Sequence, residues 1–218
     1  MTFLNVLSPQ IKASEAMSRV MDVDRVPAAV AGLTSSDAAM VLAKNNPRMA
    51  VRLIAGWLST RECIWWAGLC MAQLRKAGAD VGAPDLLHKI VRWVTHPLPE
   101  TMKPLENAGE SLRSGPIGLL ASGVLLTREN ISPSKDHPVA PVAGLANRMA
   151  AMSILGGAGR WPADNRKACL DHMVNLGLDV AECLHQWDEK AVAAHPGLRT
   201  VSSRAFLTSS GNIWENWK

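Results

Sequence analysis

Two cysteines and two histidines lie within seventeen residues of each other, as Cys169-x-x-His172 and Cys183-x-His185. Thiolates and imidazoles are the ligands of structural zinc, which needs four of them arranged as a tetrahedron, usually on short turns. Both pairs fall in segments that are predicted to be helical. Side chains two residues apart on a helix diverge by about 200°, so Cys183 and His185 point apart. The pattern therefore predicts core cysteines beside histidines, and no metal site.

Two other patterns resemble parts of enzyme sites. Asp171-His172 supplies two members of a hydrolytic triad, but no Gly-x-Ser-x-Gly elbow offers the nucleophile. Residues 156–159, Gly-Gly-Ala-Gly, look like a phosphate-binding loop, but they lack the Lys-Ser/Thr of that loop and no strand precedes them. These glycines are expected to break a helix instead. We predict no catalytic residue and no cofactor.

Tryptophan is the most informative residue type, because the chain has 8 Trp but only 2 Phe and no Tyr. Each indole covers a large apolar area when it is buried. Helical spacing places three of them on inward stripes, and we predict a structural core that contains Trp57, Cys63, Trp66, Cys70 and Trp93.

Three other tryptophans are candidate partner-binding residues, since aromatic anchors carry much of the energy of interfaces. Trp65 points away from its neighbour Trp66 on the same helix. Trp214 and Trp217 lie in a polar, Ser/Thr-rich tail with little local structure to bury them. The alternative for these last two is that the tail folds back onto its own domain.

Helical periodicity of apolar residues extends along the chain without convincing alternating strand patterns. The fold class is therefore all-α, with about nine or ten helices joined by short connections in a single-domain bundle or array. Residues 1–195 are assigned to this helical domain and residues 196–218 to the tail. A first helix is expected at 9–22, with Ser8 as N-cap and Pro9 in the first turn.

The next helix boundaries are predicted from capping residues. A helix at 35–45 is capped by the cluster Thr34–Ser36, and Asn46-Pro47 starts the next one. Ser59-x-x-Glu62 is spaced as a capping box, so a further helix at 60–76 begins almost at once. The two helices would then form a hairpin with a tight corner. The helix at 60–76 is apolar around its whole circumference, which predicts a position in the middle of the domain or one face presented to a partner.

Glycine and proline predict the remaining boundaries. Gly78 and Gly82 separate the helix at 60–76 from one that opens at Pro84 and ends before His96. The other expected elements are short helices at 102–112 and from Pro116, a loop at 130–141, and helices at 141–155 and 163–176. Gly177 is expected to stop the last of these, and Asp179-x-x-Glu182 to start a final helix as a capping box.

The composition limits the function classes. With 48% hydrophobic and 19% charged residues, the chain has enough apolar side chains for a large core. Its net charge of +4 is spread along the chain without a basic run, which makes nucleic acid an unlikely partner. The N-terminus has no signal-peptide pattern, and no apolar run is long enough for a membrane span. Free, buried cysteines in a cytoplasmic protein are the expectation.

The segment Arg61-Glu62-Cys63-Ile64-Trp65-Trp66-Ala67, preceded by Pro47-Arg48-x-Ala50, resembles a motif of an uncharacterised bacterial all-helical family. That motif is Arg-Glu-x-Val/Ile-Trp-Trp-Ala at the start of a central helix. The later segment Leu176–Val180 is similar to the closing segment of the family, and the resemblance covers most of residues 25–190. It implies an all-helical fold without an established activity. It also associates the chain with bacterial type VI secretion gene clusters, where small adaptors and chaperones load effectors.

Two functions remain open. The first is a non-enzymatic module that binds another protein, identity unknown, or a second copy of itself. It rests on the apolar central helix, the Trp-bearing tail and the missing catalytic constellation. The second is an enzyme or ligand-binding domain with a pocket between helices, for which Glu62, His172 and the cysteines are the residues to examine first.

Overall fold

The computed structural model of the chain describes residues 11–113, 115–132, 134 and 136–182. These residues form ten α-helices and three short 3-10 helices and contain no strand, which confirms the all-α fold class. The α-helices are α1 Ala13–Ser18, α2 Ala28–Ala31, α3 Ser35–Asn45, α4 Pro47–Trp57, α5 Thr60–Lys76, α6 Pro84–Thr95, α7 Pro99–Glu106, α8 Gly115–Leu125, α9 Leu145–Gly159 and α10 Arg166–Ala181. The 3-10 helices are Val23–Arg25, Gly109–Arg113 and Ala163–Asn165.

The starts of α3, α4 and α5 follow the predicted capping residues. Thr34 accepts a hydrogen bond from the Asp37 amide through its side-chain oxygen, as Asn46 does from the Met49 amide, both at 3.2 Å. Ser59 and Glu62 form the complete capping box in front of α5. Local hydrogen bonds of this kind satisfy the free N–H groups of a first helical turn, which is why the sequence predicts these boundaries well.

The first helix is shorter than predicted. α1 spans Ala13–Ser18, while Ser8 and Pro9 lie outside the described residues. Residues 11 and 12 are held in an extended conformation by backbone pairing with residues 33–35, in which Ser35 N–H donates to the Ile11 carbonyl at 2.8 Å. Because of this tertiary pairing, residues 11 and 12 do not belong to the helix that was expected there. Apolar periodicity cannot predict such a pairing.

Gly156, Gly157 and Gly177 lie inside helices and do not end them, contrary to the prediction. α9 continues through residues 156–159, and α10 passes Gly177 and ends at Ala181. A Cβ on Gly157 would lie 2.7 Å from the Leu74 Cδ1 atom of α5. At these positions glycine permits a close approach of two helices instead of breaking one. The predicted capping box Asp179-x-x-Glu182 is also wrong, because Asp179 lies inside α10.

α5 occupies the middle of the molecule, with α6, α8, α9 and α10 packed around it. Twelve of its 17 residues are buried, including Trp65 and Trp66. α4 packs mainly against α1, α3, α9 and α10 and makes few contacts with α5. The two-residue link Leu58-Ser59 is therefore a corner between diverging helices, and the predicted hairpin does not form. We call this link the α4–α5 corner.

Within the described ranges, every helix is too short or too polar to span a lipid bilayer. The described residues of the loop predicted at 130–141, which are 130–132, 134 and 136–141, are irregular. The helix expected at 102–112 is instead α7, which starts at Pro99, followed by a 3-10 turn.

Candidate functional site

The motif residue Arg61 joins α5 to the end of α6. Its Nε atom donates to the Val94 carbonyl at 2.7 Å, and one terminal nitrogen donates to the Thr95 carbonyl at 3.1 Å. These are carbonyls of the last helical turn, which have no partner within the helix. A positive charge at this end also interacts favourably with the helix dipole. Burial lowers the pKa of Arg61, but a guanidinium stays protonated in proteins. Arg61 is a helix cap.

The motif residue Glu62 is a fully buried carboxyl group. Its Oε2 atom accepts a hydrogen bond from the Ser59 amide at 3.1 Å and closes the capping box. No described residue donates a hydrogen bond to its Oε1 atom. Burial raises the pKa of Glu62, and the hydrogen bonds with Ser59 offset part of that rise.

Glu62→Gln is expected to flatten the pH dependence of stability. Since the pKa of Glu62 is raised by folding, its contribution is present at low pH and is lost as the pH rises through the folded pKa. A glutamine accepts the same bond from Ser59 and carries no charge. The free energy of unfolding of the variant relative to wild type should therefore increase from about pH 4 to about pH 8, measured by urea denaturation.

The exposed residue Glu129 provides the matched control for this substitution. Glu129→Gln removes the same charge from the surface, and its pH profile should follow that of the wild type. Identical profiles for the two variants would show that burial of Glu62 has no effect on the pH dependence of stability.

Asn147 of α9 holds the α4–α5 corner in place. Its fully buried amide nitrogen donates to the carbonyls of Ala55 and Leu58, at 2.7 and 3.0 Å, so that it caps the C-terminal end of α4. Its oxygen accepts the hydroxyl of Thr60 at 2.8 Å. Arg19 adds hydrogen bonds from the other side, to the carbonyls of Gly56 and Leu58. One side chain thus connects the end of α4, the start of α5 and α9.

The sequence analysis missed Asn147, although a signal for it exists. Asn147 shares a helical face with Ala150, Ala151 and Ile154, all of which are buried. A polar side chain on an otherwise apolar face is buried and needs hydrogen-bond partners. Its partners are about ninety residues away in the chain, as the separations of 92 and 89 residues show, so the sequence does not name them.

The tryptophans of α5 both lie inside the core. Trp66 is 0% exposed, donates its indole N–H to the Met173 carbonyl at 2.9 Å and lies against Gly177 of α10. Trp65 is 1% exposed, so it is not available to a partner in this fold. Neighbouring helices pack around α5, so this fold does not support the candidate role of Trp65 as a partner anchor. The predicted core residues Trp57, Cys63, Cys70 and Trp93 are buried.

The cysteines of the described part are buried free thiols: Cys63, Cys70 and Cys169. Burial raises the pKa of Cys169 to about 12, and it raises the pKa values of the other two as well. A thiol is nucleophilic and binds metal as its thiolate, which burial disfavours here. These side chains therefore serve packing.

Of the two Cys/His pairs and the tail tryptophans that the sequence singled out, only Cys169 and His172 lie among the described residues. Within the part of the chain that the structure describes, no three His, Cys, Asp or Glu side chains are grouped to hold a metal ion. His172 is 2% exposed in α10, one turn from Cys169. Cys183, His185, Trp214 and Trp217 lie outside the described residues.

A family model matches residues 38–181 and is described as a family of unknown function (DUF6931). The chain belongs to this family. The matched range extends from α3 to the last residue of α10, so it contains Asn147, Gly177 and the motif Arg61–Ala67. No curated protein and no solved structure matches the chain.

An open groove lies between α3 and α10 and has room for a ligand or partner. Its volume is about 500 Å³, and it is lined by Met40, Ala43, Lys44, Lys167, Asp171, Asn175 and Leu178. We call it the α3–α10 groove. Met40 is 53% exposed, and its neighbour on α3, Val41, is 39% exposed. Its apolar lining residues are Met40, Ala43 and Leu178, and its exposed charged residues, Lys44 and Lys167, are called its rim.

Proposed function

We propose that the protein is a non-enzymatic, cytoplasmic interaction module that binds a partner protein in the α3–α10 groove. The observation that carries the proposal is the half-exposed side chain of Met40 in the groove wall, with Val41 and Leu33 exposed nearby in the chain. An exposed apolar side chain in the wall of a groove is suited to an interaction site, since a partner removes it from water. Methionine suits such surfaces because its flexible side chain adapts to different contacts.

The lining residues indicate the chemistry of the partner. An amphipathic helix would place its apolar ridge against Met40, Ala43 and Leu178, as helices do in other hydrophobic grooves. The exposed ammonium group of Lys44 on the rim favours an acidic residue beside that ridge. Lys167 is already paired with Asp171 at 3.1 Å, so it contributes less to this preference.

The non-enzymatic part of the proposal rests on how the motif residues are used. Arg61 and Trp66 donate to backbone carbonyls of α6 and α10, and Glu62 accepts from the backbone amide of Ser59, the N-cap of its own helix. These side chains act as caps and packing contacts, which supports an architectural role for the motif. Trp214 and Trp217 remain candidate anchors for the partner within this proposal.

We extend the proposal to an accessory or adaptor role in bacterial type VI secretion. The extension is supported by the resemblance of the motif Arg61–Ala67, and it has its own test: the partner should be a component or a cargo of the secretion apparatus. If the partner had any other role, the type VI extension would be rejected, but the proposal that a partner binds in the groove would stand.

The substitution Met40→Glu tests the groove. Tagged wild type and variant are used to purify complexes from cells that produce the protein natively, and binding is then measured with the purified partner. We expect the dissociation constant to rise at least about tenfold, because a carboxylate would be buried against an apolar ridge. Val142→Glu, at a 73% exposed position outside the groove, is the control and should bind normally.

Equal binding by Met40→Glu and wild type would contradict the proposal, as would the absence of any partner present in stoichiometric amount. The groove volume also falls in the range of about 300–1,000 Å³ that is typical of small-molecule pockets. If a small molecule, rather than a protein, co-purified with wild type and was lost from Met40→Glu, the groove would be a ligand site and the interaction proposal would fail.

A further inference from the structure

A second cleft, which shares no residue with the α3–α10 groove, collects arginines from three elements. It has a volume of about 210 Å³ and lies between the chain after α1, the 3-10 helix Val23–Arg25, α4 and α9. Its walls are formed by Val20, Met21, Asp22, Arg25, Arg52, Arg148, Ala151, Met152 and Leu155. We call it the arginine cleft.

The charges of the arginine cleft are unbalanced. Its lining contains three guanidinium groups and a single carboxylate, that of Asp22. Asp22 pairs with Arg25 at 3.4 Å, and both side chains are well exposed, so this pair is screened by water. Among the described residues, no carboxylate forms an ion pair with Arg52 or Arg148. Two positive charges therefore share the cleft without a counterion from any described residue.

Both of these arginines are held by rigid parts of the fold. Arg52 is half-buried on α4, between the buried residues Val51 and Leu53. Arg148 on α9 donates its Nε–H to the Val20 carbonyl at 2.7 Å, which orients its guanidinium while its two terminal nitrogens remain for other acceptors. α4 and α9 pack directly on each other. The donors are thus positioned before any ligand arrives, which lowers the entropy cost of binding.

The apolar part of the lining narrows the ligand chemistry. Met152 is 50% exposed and Leu155 is half-buried, so these two lining residues provide an accessible apolar surface beside the guanidinium groups. The planar fork of a guanidinium matches the two oxygens of a carboxylate. A dianionic phosphate would gain nothing from the apolar surface. The volume corresponds to about seven water molecules at about 30 Å³ each, so the ligand group is small.

We propose that the arginine cleft binds a monocarboxylate carried on a short apolar stem, with Arg52 and Arg148 as its donors. The proposal is independent of the partner-binding function of the groove. The carboxylate accepts hydrogen bonds from the two guanidinium groups, and its stem covers Met152 and Leu155.

Binding of hexanoate to the full chain tests this proposal, by calorimetry and by NMR chemical shifts. We expect saturable binding of hexanoate with one molecule per chain, and at least about tenfold weaker binding of hexanamide, which has the same stem without the charge. Arg52→Gln should weaken hexanoate binding about tenfold, while Arg52→Lys, which keeps the charge and loses the planar fork, should weaken it less. Arg48→Gln, an exposed arginine one turn away on α4 and outside the cleft, should bind as wild type does.

Four results would overturn the proposal. They are no saturable hexanoate binding by wild type, equal binding of hexanamide, equal losses in Arg48→Gln and Arg52→Gln, or tighter binding of inorganic phosphate than of hexanoate. A cooperative thermal unfolding transition serves as the check that each variant is folded. Should Arg52→Gln fail to fold, Arg52→Lys and the hexanamide comparison still decide the question.

Discussion

Asn147→Asp is expected to lower the free energy of unfolding by about 3 kcal/mol at neutral pH, because it removes a donor shared by two buried carbonyls. The amide nitrogen that caps Ala55 and Leu58 becomes a carboxylate oxygen, which faces the two carbonyl oxygens without a proton. Each buried acceptor that loses its partner costs about 1–3 kcal/mol, and the buried charge adds to this cost. Urea denaturation followed by circular dichroism measures the loss.

The loss of stability caused by Asn147→Asp should become smaller as the pH falls. Burial raises the pKa of the introduced carboxyl group in the folded state. The folded variant therefore binds a proton more tightly than the unfolded chain, and its stability increases as the pH falls through the folded pKa. Asn175→Asp, a half-buried position on α10, is the control and should change stability by less than about 1 kcal/mol. Equal losses for the two variants would contradict the capping role of Asn147.

Gly177→Ala is expected to destabilise the protein by about 2 kcal/mol, although alanine is the better helix former. The added Cβ would lie 2.6 Å from Cε2 of Trp66 and 2.9 Å from its Nε1 atom. The indole is fully buried, and its N–H is hydrogen-bonded to the Met173 carbonyl, so it has little room to move. Either the hydrogen bond lengthens or α10 shifts away from α5. Thermal and urea denaturation report the loss, and tryptophan fluorescence reports the movement of the indole.

Gly68→Ala is the matched control for Gly177→Ala. Gly68 lies in the middle of α5, and a Cβ there would meet no atom within 4 Å. The same chemical change should therefore stabilise the protein by about 0.5–1 kcal/mol, through helix propensity alone. Opposite signs for the two substitutions would establish the close contact of α10 with Trp66. A neutral or stabilising Gly177→Ala would disprove it.

The sequence predicted those parts of the fold that depend on neighbouring residues. The starts of α3, α4 and α5 are set by side chains that bond to amides three residues away, as Asn46 does with Met49. Gly177 shows the limit of this reasoning. Glycine disfavours a helix by only about 1 kcal/mol, and the packing of α10 on Trp66 outweighs that local preference. The predicted end of this helix at Gly177 is therefore wrong, because the contact with Trp66 cannot be read from neighbouring residues in the sequence.

The candidate site was less predictable than the fold, because it depends on long-range contacts. The motif at Arg61–Ala67 was recognised from its residues, but its caps were not, since Arg61 bonds to carbonyls 33 and 34 residues ahead. For Trp65 the pattern leaves burial and partner binding both open, because the sequence of one helix cannot show what covers its second face. The arginine cleft brings together residues 25, 52 and 148, which are far apart in the sequence. Their proximity therefore cannot be predicted from local sequence patterns.

The hydrogen bond from Trp66 to Met173 spans 107 residues, which has a consequence for biosynthesis. A ribosome that adds about 5–20 residues per second needs about 5–20 s to make the intervening chain. During that time α5 is already synthesised while α10, which packs against it in the finished fold, is not complete. A nascent chain at this stage exposes the indoles of Trp65 and Trp66, and it would present a binding site for the chaperones that attend translation.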